Sequence, residues 1–157
     1  MVCYRYCMST IKIKAFTDLN KETLMLIHEF ETAVFSAPLG VLEIERELQS
    51  KFSLLTLVAY INEVPCGYKI GYEQSAKRFY SWVGGVLPAH RGQGVAKTLM
   101  KQQHDMVKSK GYQYVTTQTK NEFKDMLILN LNSGFDVIGV RQSLGSPSPA
   151  ILLEKKL

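Results

Sequence analysis

Hydrophobic residues recur along this chain with two spacings, and each spacing predicts one type of secondary structure. Apolar side chains three or four positions apart, as at Leu24, Ile27, Phe30 and Val34, indicate a helix with one buried face. Short apolar or alternating runs bounded by turn residues indicate strands. The pattern predicts strands at 11–16, 54–61, 66–73, 79–87, 112–119, 135–141 and 150–155, and helices from a cap at Asn20 or Asp18 to about Phe35, over Val41, Ile44 and Leu48, from near Gly94 to Gly111, and over 122–133.

The order of these elements is β-α-α-β-β-β-α-β-α-β-β, which predicts an α/β (α+β) fold with one mixed central sheet flanked by helices. A chain of 157 residues suffices for a single core. We therefore expect one domain over 11–157, preceded by an N-terminal extension, 1–10, that we expect to be disordered.

The stretch from Val83 to Met100 holds a strand end, a short loop with two glycines and the start of a helix. The first turn of a helix presents unpaired N–H groups and the positive end of the helix dipole, which together favour an anion. Gly92 and Gly94 let the backbone approach that anion without a Cβ in the way, and Arg91 adds a fixed charge. The loop is therefore interpreted either as a pyrophosphate cradle or as a tight turn with a solvated arginine.

The loop and a second stretch downstream together favour the pyrophosphate cradle. The loop matches neither G-x-x-x-x-G-K-[ST] nor G-x-G-x-x-G, so it lacks the usual signatures of nucleoside triphosphate and dinucleotide sites. The segment Arg91-Gly92-Gln93-Gly94-Val95-Ala96 resembles the acyl-CoA signature of the Gcn5-related N-acetyltransferases. Farther along, Asn121, Asn130 and the pair Gly134-Phe135 resemble another common stretch of that family, in the same order.

The resemblance implies acetyl-CoA as acyl donor and a place for it. In that family the strand before the loop and the strand after the loop helix run parallel and splay apart, and the pantetheine arm enters the opening. Here those strands are 79–87 and 112–119. The resemblance implies that the arm pairs with backbone groups of 84–86 like an added strand, and that the two glycines leave room for the thioester. The cofactor-binding residues so implied are Gly84, Gly85, Val86, Arg91, Gly92, Gln93, Gly94, Val95, Ala96, Lys97, Asn121 and Asn130.

Asn121 and Asn130 each keep two interpretations. Asn121 caps the following helix, contacts the cofactor, or does both. Asn130 occupies a position where many members of the family carry a tyrosine that protonates the leaving sulfur, and an amide has no proton to give near neutral pH. Asn130 is therefore either a buried asparagine bonded to backbone or an amide that contacts the CoA sulfur or the pantetheine.

Attack of an amine on a thioester needs a neutral nitrogen, stabilisation of the oxyanion and a proton for the departing thiolate. Backbone N–H groups at Gly84 or Val86 are the candidates for the oxyanion. Cys66 is rejected as a nucleophile because no histidine is adjacent to it. His28 and His104 are expected at surface or helix-face positions. The candidate catalytic residues are Glu73 and Asn130, and Glu29, Glu31, Glu45 or a water relay are alternatives to Glu73 as the base.

Composition and charge narrow the remaining classes. A hydrophobic content of 46% and a charged content of 21% are ordinary for a globular protein. The net charge of +5 suits a polyanion, but the sequence has no recognition-helix signature or basic aromatic stripe, so we expect no nucleic-acid partner. Apolar runs are too short to span a bilayer, and residues 1–10 lack the apolar region of a signal peptide, so we expect a cytoplasmic protein with no membrane partner.

Three cysteines, Cys3, Cys7 and Cys66, cannot all pair within one chain, which fits a reducing compartment. Cys3 and Cys7 lack a second pair of ligands, so no metal is expected. Met8 is an alternative native start, in which case both cysteines precede the protein.

The expected function is transfer of an acetyl group from acetyl-CoA to an amine by direct attack on the thioester. Glutamates in the first two helices favour a small cationic amine or a peptide or protein amine as acceptor. The main alternative is a non-catalytic CoA-binding or sensory module on the same fold, which the missing tyrosine favours. No residue pattern specifies the acceptor or the acyl length, and a homodimer stays an open alternative.

Overall fold

A computed structural model describes residues 10–142 and 144–157, which form seven strands in one mixed sheet, with helices on both faces. Predictions about Cys3, Cys7 and Met8 lie outside the described residues. The elements follow the predicted order, with a short 3-10 turn added at Pro88–His90. They are β1 (Ile11–Phe16), α1 (Lys21–Val34), α2 (Val41–Leu48), β2 (Leu55–Ile61), β3 (Val64–Ser75), β4 (Arg78–Val86), α3 (Val95–Ser109), β5 (Tyr114–Lys120), α4 (Lys124–Asn132), β6 (Asp136–Arg141) and β7 (Ala150–Lys156).

The sheet order is β1-β2-β3-β4-β5-β7-β6, and the pair β4–β5 is parallel while the other neighbouring pairs are antiparallel. A parallel pair needs a crossover connection, and α3 supplies it. The parallel ladder joins Arg78, Phe79 and Tyr80 of β4 to the first three residues of β5. Beyond Tyr80 the described strands do not pair, so the predicted splay of these two strands is confirmed.

Side-chain alternation along β3 divides the core into two layers. Tyr68, Ile70 and Tyr72 pack with α1 and α2 on one face. On the other face, a Cβ on Gly67 would lie 3.0 Å from Val95 Cγ1, so α3 packs closely on the sheet there. The period of two in a strand therefore positions one layer of helices on each face.

The start of α1 follows the predicted chemistry, because the Asn20 side chain accepts a hydrogen bond from the Thr23 N–H at 2.9 Å. The start of α4 does not. The Phe123 N–H donates to the Lys120 carbonyl at 3.0 Å, which closes a turn after β5, and Phe123 is the N-cap residue. The helix-cap interpretation of Asn121 is therefore wrong, because Asn121 belongs to the turn that precedes the helix.

The face of α3 on which His104 lies differs from the predicted one. The prediction of a surface or helix-face position for His104 is wrong, because His104 is 6% exposed and its ring centroid lies 5.5 Å from that of Phe135. Gln103, beside it, is fully buried. Two polar residues of α3 thus face the core, where apolar spacing alone predicts hydrophobic ones.

Candidate functional site

The opening between β4 and β5 begins where their ladder ends. Thr117 Oγ1 donates to the Ser81 carbonyl at 2.9 Å and closes the narrow end. At the wide end, the Leu87 N–H donates to the Cys66 carbonyl of β3 at 2.9 Å. Because backbone groups alternate in direction along a strand, those of Val86 and Gly84 point into the opening.

The two glycines of β4 each have a structural reason. A Cβ on Gly84 would lie 2.9 Å from the Tyr68 carbonyl oxygen, and one on Gly85 would lie 2.8 Å from Val34 Cγ1. Real Cβ atoms essentially never show contacts below 3.0 Å. The strand β3 and the helix α1 of this chain therefore leave little room for a side chain at either glycine.

At the mouth of the opening, the start of α3 presents an accessible set of backbone donors. Gly92 and Gly94 have φ angles of +73° and +82°, and no described atom lies within 4 Å of a Cβ built on either. No side chain of the described residues caps this helix, and its first turn has no acidic residue but carries Lys97. Left-handed backbone, unpaired N–H groups and positive charge together suit an anion such as a pyrophosphate.

Neighbouring contacts hold this loop against the end of β4. Arg91 Nε donates to the Val86 carbonyl at 3.2 Å, and Gln93 Nε2 donates to the Ala89 carbonyl at 3.3 Å. His90 Nδ1 is buried and has no hydrogen-bond partner in the described chain. The Arg91 side chain is exposed, so its guanidinium remains open to a ligand while the loop is anchored.

Asn130 lies on α4 and is 3% exposed, as its position on the helix face predicts. Its backbone carbonyl accepts from the N–H groups of Ser133 at 3.0 Å and Phe135 at 3.1 Å, which ends the helix. Within the described residues its side-chain amide makes no hydrogen bond, so the interpretation as an asparagine bonded to backbone is wrong. Neither amide atom is fully buried, so the unpaired amide is open to a ligand or to water.

A polar cluster that the sequence did not reveal lies on the same face, between the sheet and α3. Burial, together with the charges of Lys155 and Lys69, lowers the pKa of His104 from 6.5 to about 3, so its imidazole is neutral. Lys155 Nζ is 3.5 Å from His104 Nδ1. Burial lowers the pKa of Lys69 to about 8. Both amide atoms of Gln103 and Nε2 of His104 lack partners among the described residues.

The opposite face of the sheet carries a groove of about 530 Å³ over the end of the β4–β5 ladder. Three aromatic residues form one wall, with ring centroids 5.5 Å apart for Tyr72 and Tyr80 and 6.4 Å apart for Tyr72 and Trp82. Glu47 accepts a hydrogen bond from the Tyr72 hydroxyl at 2.8 Å and pairs with Lys51 at 3.3 Å. The wall therefore combines aromatic surface with a carboxylate.

The far end of the groove is positively charged. Arg141 Nη2 donates to Gln118 Oε1 at 2.7 Å, and no carboxylate of residues 10–142 or 144–157 forms an ion pair with Arg141. Burial raises the pKa of the Tyr80 hydroxyl, the charge of Arg141 opposes that shift and the charge of Glu47 adds to it. The charges at both ends of the groove therefore act on the Tyr80 hydroxyl.

The predicted bases lie at other places. Glu73 Oε2 accepts a hydrogen bond from the Tyr112 hydroxyl at 2.6 Å, and Glu73 pairs with Phe79 at the end of β4 away from Gly84. Glu31 is buried and accepts hydrogen bonds from the Tyr68 hydroxyl and the Leu39 N–H. Glu29 and Glu45 are exposed on α1 and α2. The role of Glu73 as base stays a prediction, and the groove adds Glu47 and Tyr80 as candidates.

Cys66 is fully buried, and its thiol donates to the Ala59 carbonyl at 3.4 Å. Burial raises its pKa, which disfavours the thiolate that a nucleophile needs. In the part of the chain that the structure describes, no three His, Cys, Asp or Glu residues group as metal ligands. No helix within the described ranges is long and apolar enough to cross a membrane.

Comparison with solved structures shows the fold. The ribosomal-protein-S18-alanine N-acetyltransferase from Escherichia coli aligns with a TM-score of 0.81 at 14% identity, over 94% of each chain. Ard1 from Thermoplasma volcanium aligns at 0.78 and 14%, over 94% of this chain and 97% of that one. A GNAT family acetyltransferase from Elizabethkingia anophelis, with acetyl-CoA bound, aligns at 0.72 and 21%, over 94% and 98%.

Sequence comparison gives the family. No curated protein matches the chain. The family model "Acetyltransferase (GNAT) family" matches residues 21–125, a stretch that runs from the start of α1 into α4 and includes the glycine loop, β4 and β5. The match covers more than half of the chain, so this protein belongs to the GNAT acetyltransferase family.

Proposed function

We propose that this protein transfers an acetyl group from acetyl-CoA to an amine, and that the two substrates meet from opposite faces of the sheet. The observation that carries the proposal is the combination of an uncapped, accessible α3 N-terminus with the opening between β4 and β5 directly beside it. The first feature suits a pyrophosphate, and the second offers backbone groups to a pantetheine arm.

Each part of the cofactor has a proposed partner in this chain. The N–H groups of Val95, Ala96 and Lys97 and the glycine loop hold the pyrophosphate, with Arg91 adding charge. The backbone of 84–86 binds the pantetheine amides and the thioester. Asn130 contacts the sulfur or the pantetheine from α4. The full proposed set is Gly84, Gly85, Val86, Arg91, Gly92, Gln93, Gly94, Val95, Ala96, Lys97, Asn121 and Asn130.

The acceptor amine enters from the groove, where Tyr72, Tyr80 and Trp82 offer a surface for its carbon skeleton. Its nitrogen must lose a proton, for which Glu73, Glu47, Tyr80 and water are the candidates. Backbone N–H groups of Gly84 or Val86 stabilise the oxyanion that forms on the acyl carbon. Glu47 at one end of the groove and Arg141 at the other favour an acceptor that carries charge besides the reacting amine.

A second candidate is a non-catalytic CoA-binding or sensory module. It is favoured by Asn130, because an amide at that position cannot protonate a leaving thiolate near neutral pH. The two functions differ in one observable. A catalyst releases free CoA thiol in the presence of an amine, whereas a sensor binds acetyl-CoA without turnover.

The test of the cofactor site uses two glycines with the same backbone strain and the same open surroundings. Gly94 and Gly111 have φ angles of +82° and +93°, and no described atom lies within 4 Å of either Cβ position. Gly94→Glu places a negative side chain against the proposed pyrophosphate site. Gly111→Glu places the same side chain beyond the opposite end of α3 and serves as the control. We expect the affinity for acetyl-CoA, measured by calorimetry, to fall at least 100-fold only for Gly94→Glu.

Unchanged affinity in Gly94→Glu, or an equal loss in both variants, contradicts the assignment of the loop. Thiol release is then measured for the wild-type protein with a panel of small cationic, neutral and anionic amines and N-terminal peptides. Release with any member supports the transferase. Tight binding of acetyl-CoA without release across the panel supports the sensory module instead.

A further inference from the structure

Lys69 is a half-buried lysine with no counter-ion among the described residues. It lies on β3 between Tyr68 and Ile70, which face α1 and α2, so its side chain is on the α3 face. Neighbouring residues remove much of the side chain from water, and part of it keeps contact with solvent. No ion pair and no hydrogen bond of the described residues engages its ammonium group. Partial burial makes an unpaired ammonium group costly, so a negatively charged group on a ligand would be stabilised beside it.

The position of Lys69 directs it toward the opening between β4 and β5. Lys69 pairs with Gly84 across the β3–β4 ladder, and its Cγ is 3.4 Å from the place where a Cβ of Gly84 would lie. Adjacent strands are only about 4.8 Å apart, so a lysine can pass over a neighbouring residue that has no side chain. The absence of a side chain at Gly84 therefore leaves the lysine within reach of the edge of β4 where the thioester is proposed to bind.

A line of contacts joins this lysine to Asn130. The Phe135 N–H donates to the Asn130 carbonyl at 3.1 Å, and the Phe135 ring lies 5.5 Å from the ring of His104. His104 is close enough to Lys69 for the lysine's charge to lower the histidine pKa. Asn130 and Lys69 are thus connected through Phe135 and His104, one from α4 and the other from the sheet.

We propose that Lys69 is the general acid of the reaction and protonates the thiolate of CoA. It would thus take the role of the tyrosine that many family members carry at the position of Asn130. The inference rests on the proposed transferase function. The lone pair of the acceptor nitrogen forms the C–N bond, the C–S bond breaks, and its electron pair goes to sulfur. A proton moves from Lys69 Nζ to that sulfur, giving free CoA thiol. The surplus proton of the acceptor nitrogen goes to a base or to water, and Lys69 regains its proton from solvent.

The charged groups around Lys69 support this role. From α3 it faces His104, which is neutral because its pKa is about 3, and from β7 the ammonium of Lys155 adds positive charge near that histidine. Burial lowers the pKa of Lys69 to about 8. At neutral pH the lysine is protonated, and its acidity is close to that of a thiol with a pKa near 8.5, which favours proton transfer between them.

The first experiment needs no acceptor and uses CoA itself as the probe. The ultraviolet absorbance of the CoA thiolate is titrated with pH while CoA is bound to the wild-type protein, to Lys69→Met and to Lys101→Met. Lys101 is an exposed lysine on the solvent face of α3 and is the matched control. We expect the pKa of the bound thiol to be about one unit lower in wild type and Lys101→Met than in Lys69→Met. Methionine fills a similar volume, so the variant retains the fold.

The second experiment measures kcat and KM against pH for the acceptor amine that gives the highest thiol release. For wild type we expect kcat to fall above about pH 8, as Lys69 loses its proton. Lys69→Met lowers kcat about 100-fold with little change in the KM for acetyl-CoA, and its profile has no such alkaline fall. Lys69→Arg keeps the charge but cannot release its proton, so we expect it to lower kcat as Lys69→Met does, and activity close to wild type in this variant contradicts the role of Lys69 as acid.

Two further outcomes overturn the role of Lys69. One is an equal pKa for bound CoA thiol in wild type and Lys69→Met, which decides the matter even if no acceptor is found. The other is stoichiometric acetylation of Lys69 by acetyl-CoA, detected by mass spectrometry, because the lysine is then an acceptor instead of an acid. Failure of the proposed function has a different signature, namely no thiol release with any amine.

Discussion

Substitution of Gly85 by alanine separates a structural role of this glycine from a role in making room for the thioester. A Cβ at this position would lie 2.8 Å from Val34 Cγ1 and 3.1 Å from Val34 Cγ2 at the end of α1. Overpacking of this kind costs about 1–3 kcal/mol, and alanine regains about 0.5 kcal/mol by restricting the unfolded chain. We therefore expect Gly85→Ala to destabilise the protein by about 1.5 kcal/mol, a fall in Tm of roughly 3–6 °C.

The clash involves a side chain, so a second substitution can relieve it. Val34 is half-buried, and Val34→Ala alone is expected to cost about 1 kcal/mol of lost burial. With the two methyl groups of Val34 removed, the nearest atom to the new Cβ is the Cβ of residue 34 at 3.3 Å, a tight contact that a shift of a few tenths of an ångström relieves. The double variant Gly85→Ala, Val34→Ala should then cost about 1 kcal/mol instead of the additive 2.5 kcal/mol, a coupling energy of about 1.5 kcal/mol.

The assay is urea denaturation of the four proteins of the cycle, followed by calorimetry with acetyl-CoA. Gly139→Ala is the control, because a Cβ at this strand glycine would lie 3.8 Å from Leu152 Cδ1, an ordinary contact that should change stability by less than about 0.5 kcal/mol. Additive costs in the cycle refute the packing argument. Loss of acetyl-CoA affinity in the stable double variant shows instead that Gly85 makes room for the thioester.

Two further predictions concern buried polar residues. Asn130→Ala is expected to lower turnover or acetyl-CoA affinity at least several-fold, by thiol release and calorimetry, and wild-type values for both make Asn130 structural. His104 binds its proton only near pH 3 in the folded protein, against 6.5 unfolded, so its contribution to stability is complete above pH 6.5 and is lost as pH falls. Urea denaturation of wild type should therefore show about 2 kcal/mol more loss than His104→Leu between pH 6.5 and 4.5, and parallel curves contradict the buried neutral imidazole.

Much of the fold was predictable because local patterns and tertiary packing agree. The apolar spacing of α1, the alternation of β3 and the glycines around α3 each specify an element without knowledge of the rest of the chain. The splay of β4 and β5 followed from the family resemblance of two stretches, and the ladder of three residue pairs confirms it.

The polar interior on the α3 face was not predictable by the same means. Hydropathy assigns a lysine and a histidine to the surface, so the half-buried Lys69 and the buried His104 were not recognised. A signal existed in the strand period, since Lys69 alternates with Tyr68 and Ile70 in a strand that is covered on both faces. Because side chains alternate between the two faces of a strand, this lysine lies on the face that α3 covers, whatever its charge.

The groove was missed for a different reason. Its residues come from α2 and from β3, β4, β5, β6 and β7, and only the sheet order, in which β7 lies between β5 and β6, brings Arg141 near Gln118 and Tyr80. Sequence spacing carries no information about that order. The aromatic residues Tyr72, Tyr80 and Trp82 were visible as strand residues, but their shared face depends on the register of β3 with β4.

The end of the β4–β5 ladder gives the sheet two exposed edges in its middle. A free strand edge normally attracts other extended chains and promotes aggregation, and proteins usually shield such edges. Here α3 contacts β4 and α4 contacts β5, and the Thr117 hydroxyl bridges to Ser81 at the narrow end. These contacts shield both edges in part and so limit pairing with a second copy of the chain. The proposed pantetheine arm, an unbranched chain with amide groups, would use the backbone groups that this shielding leaves free.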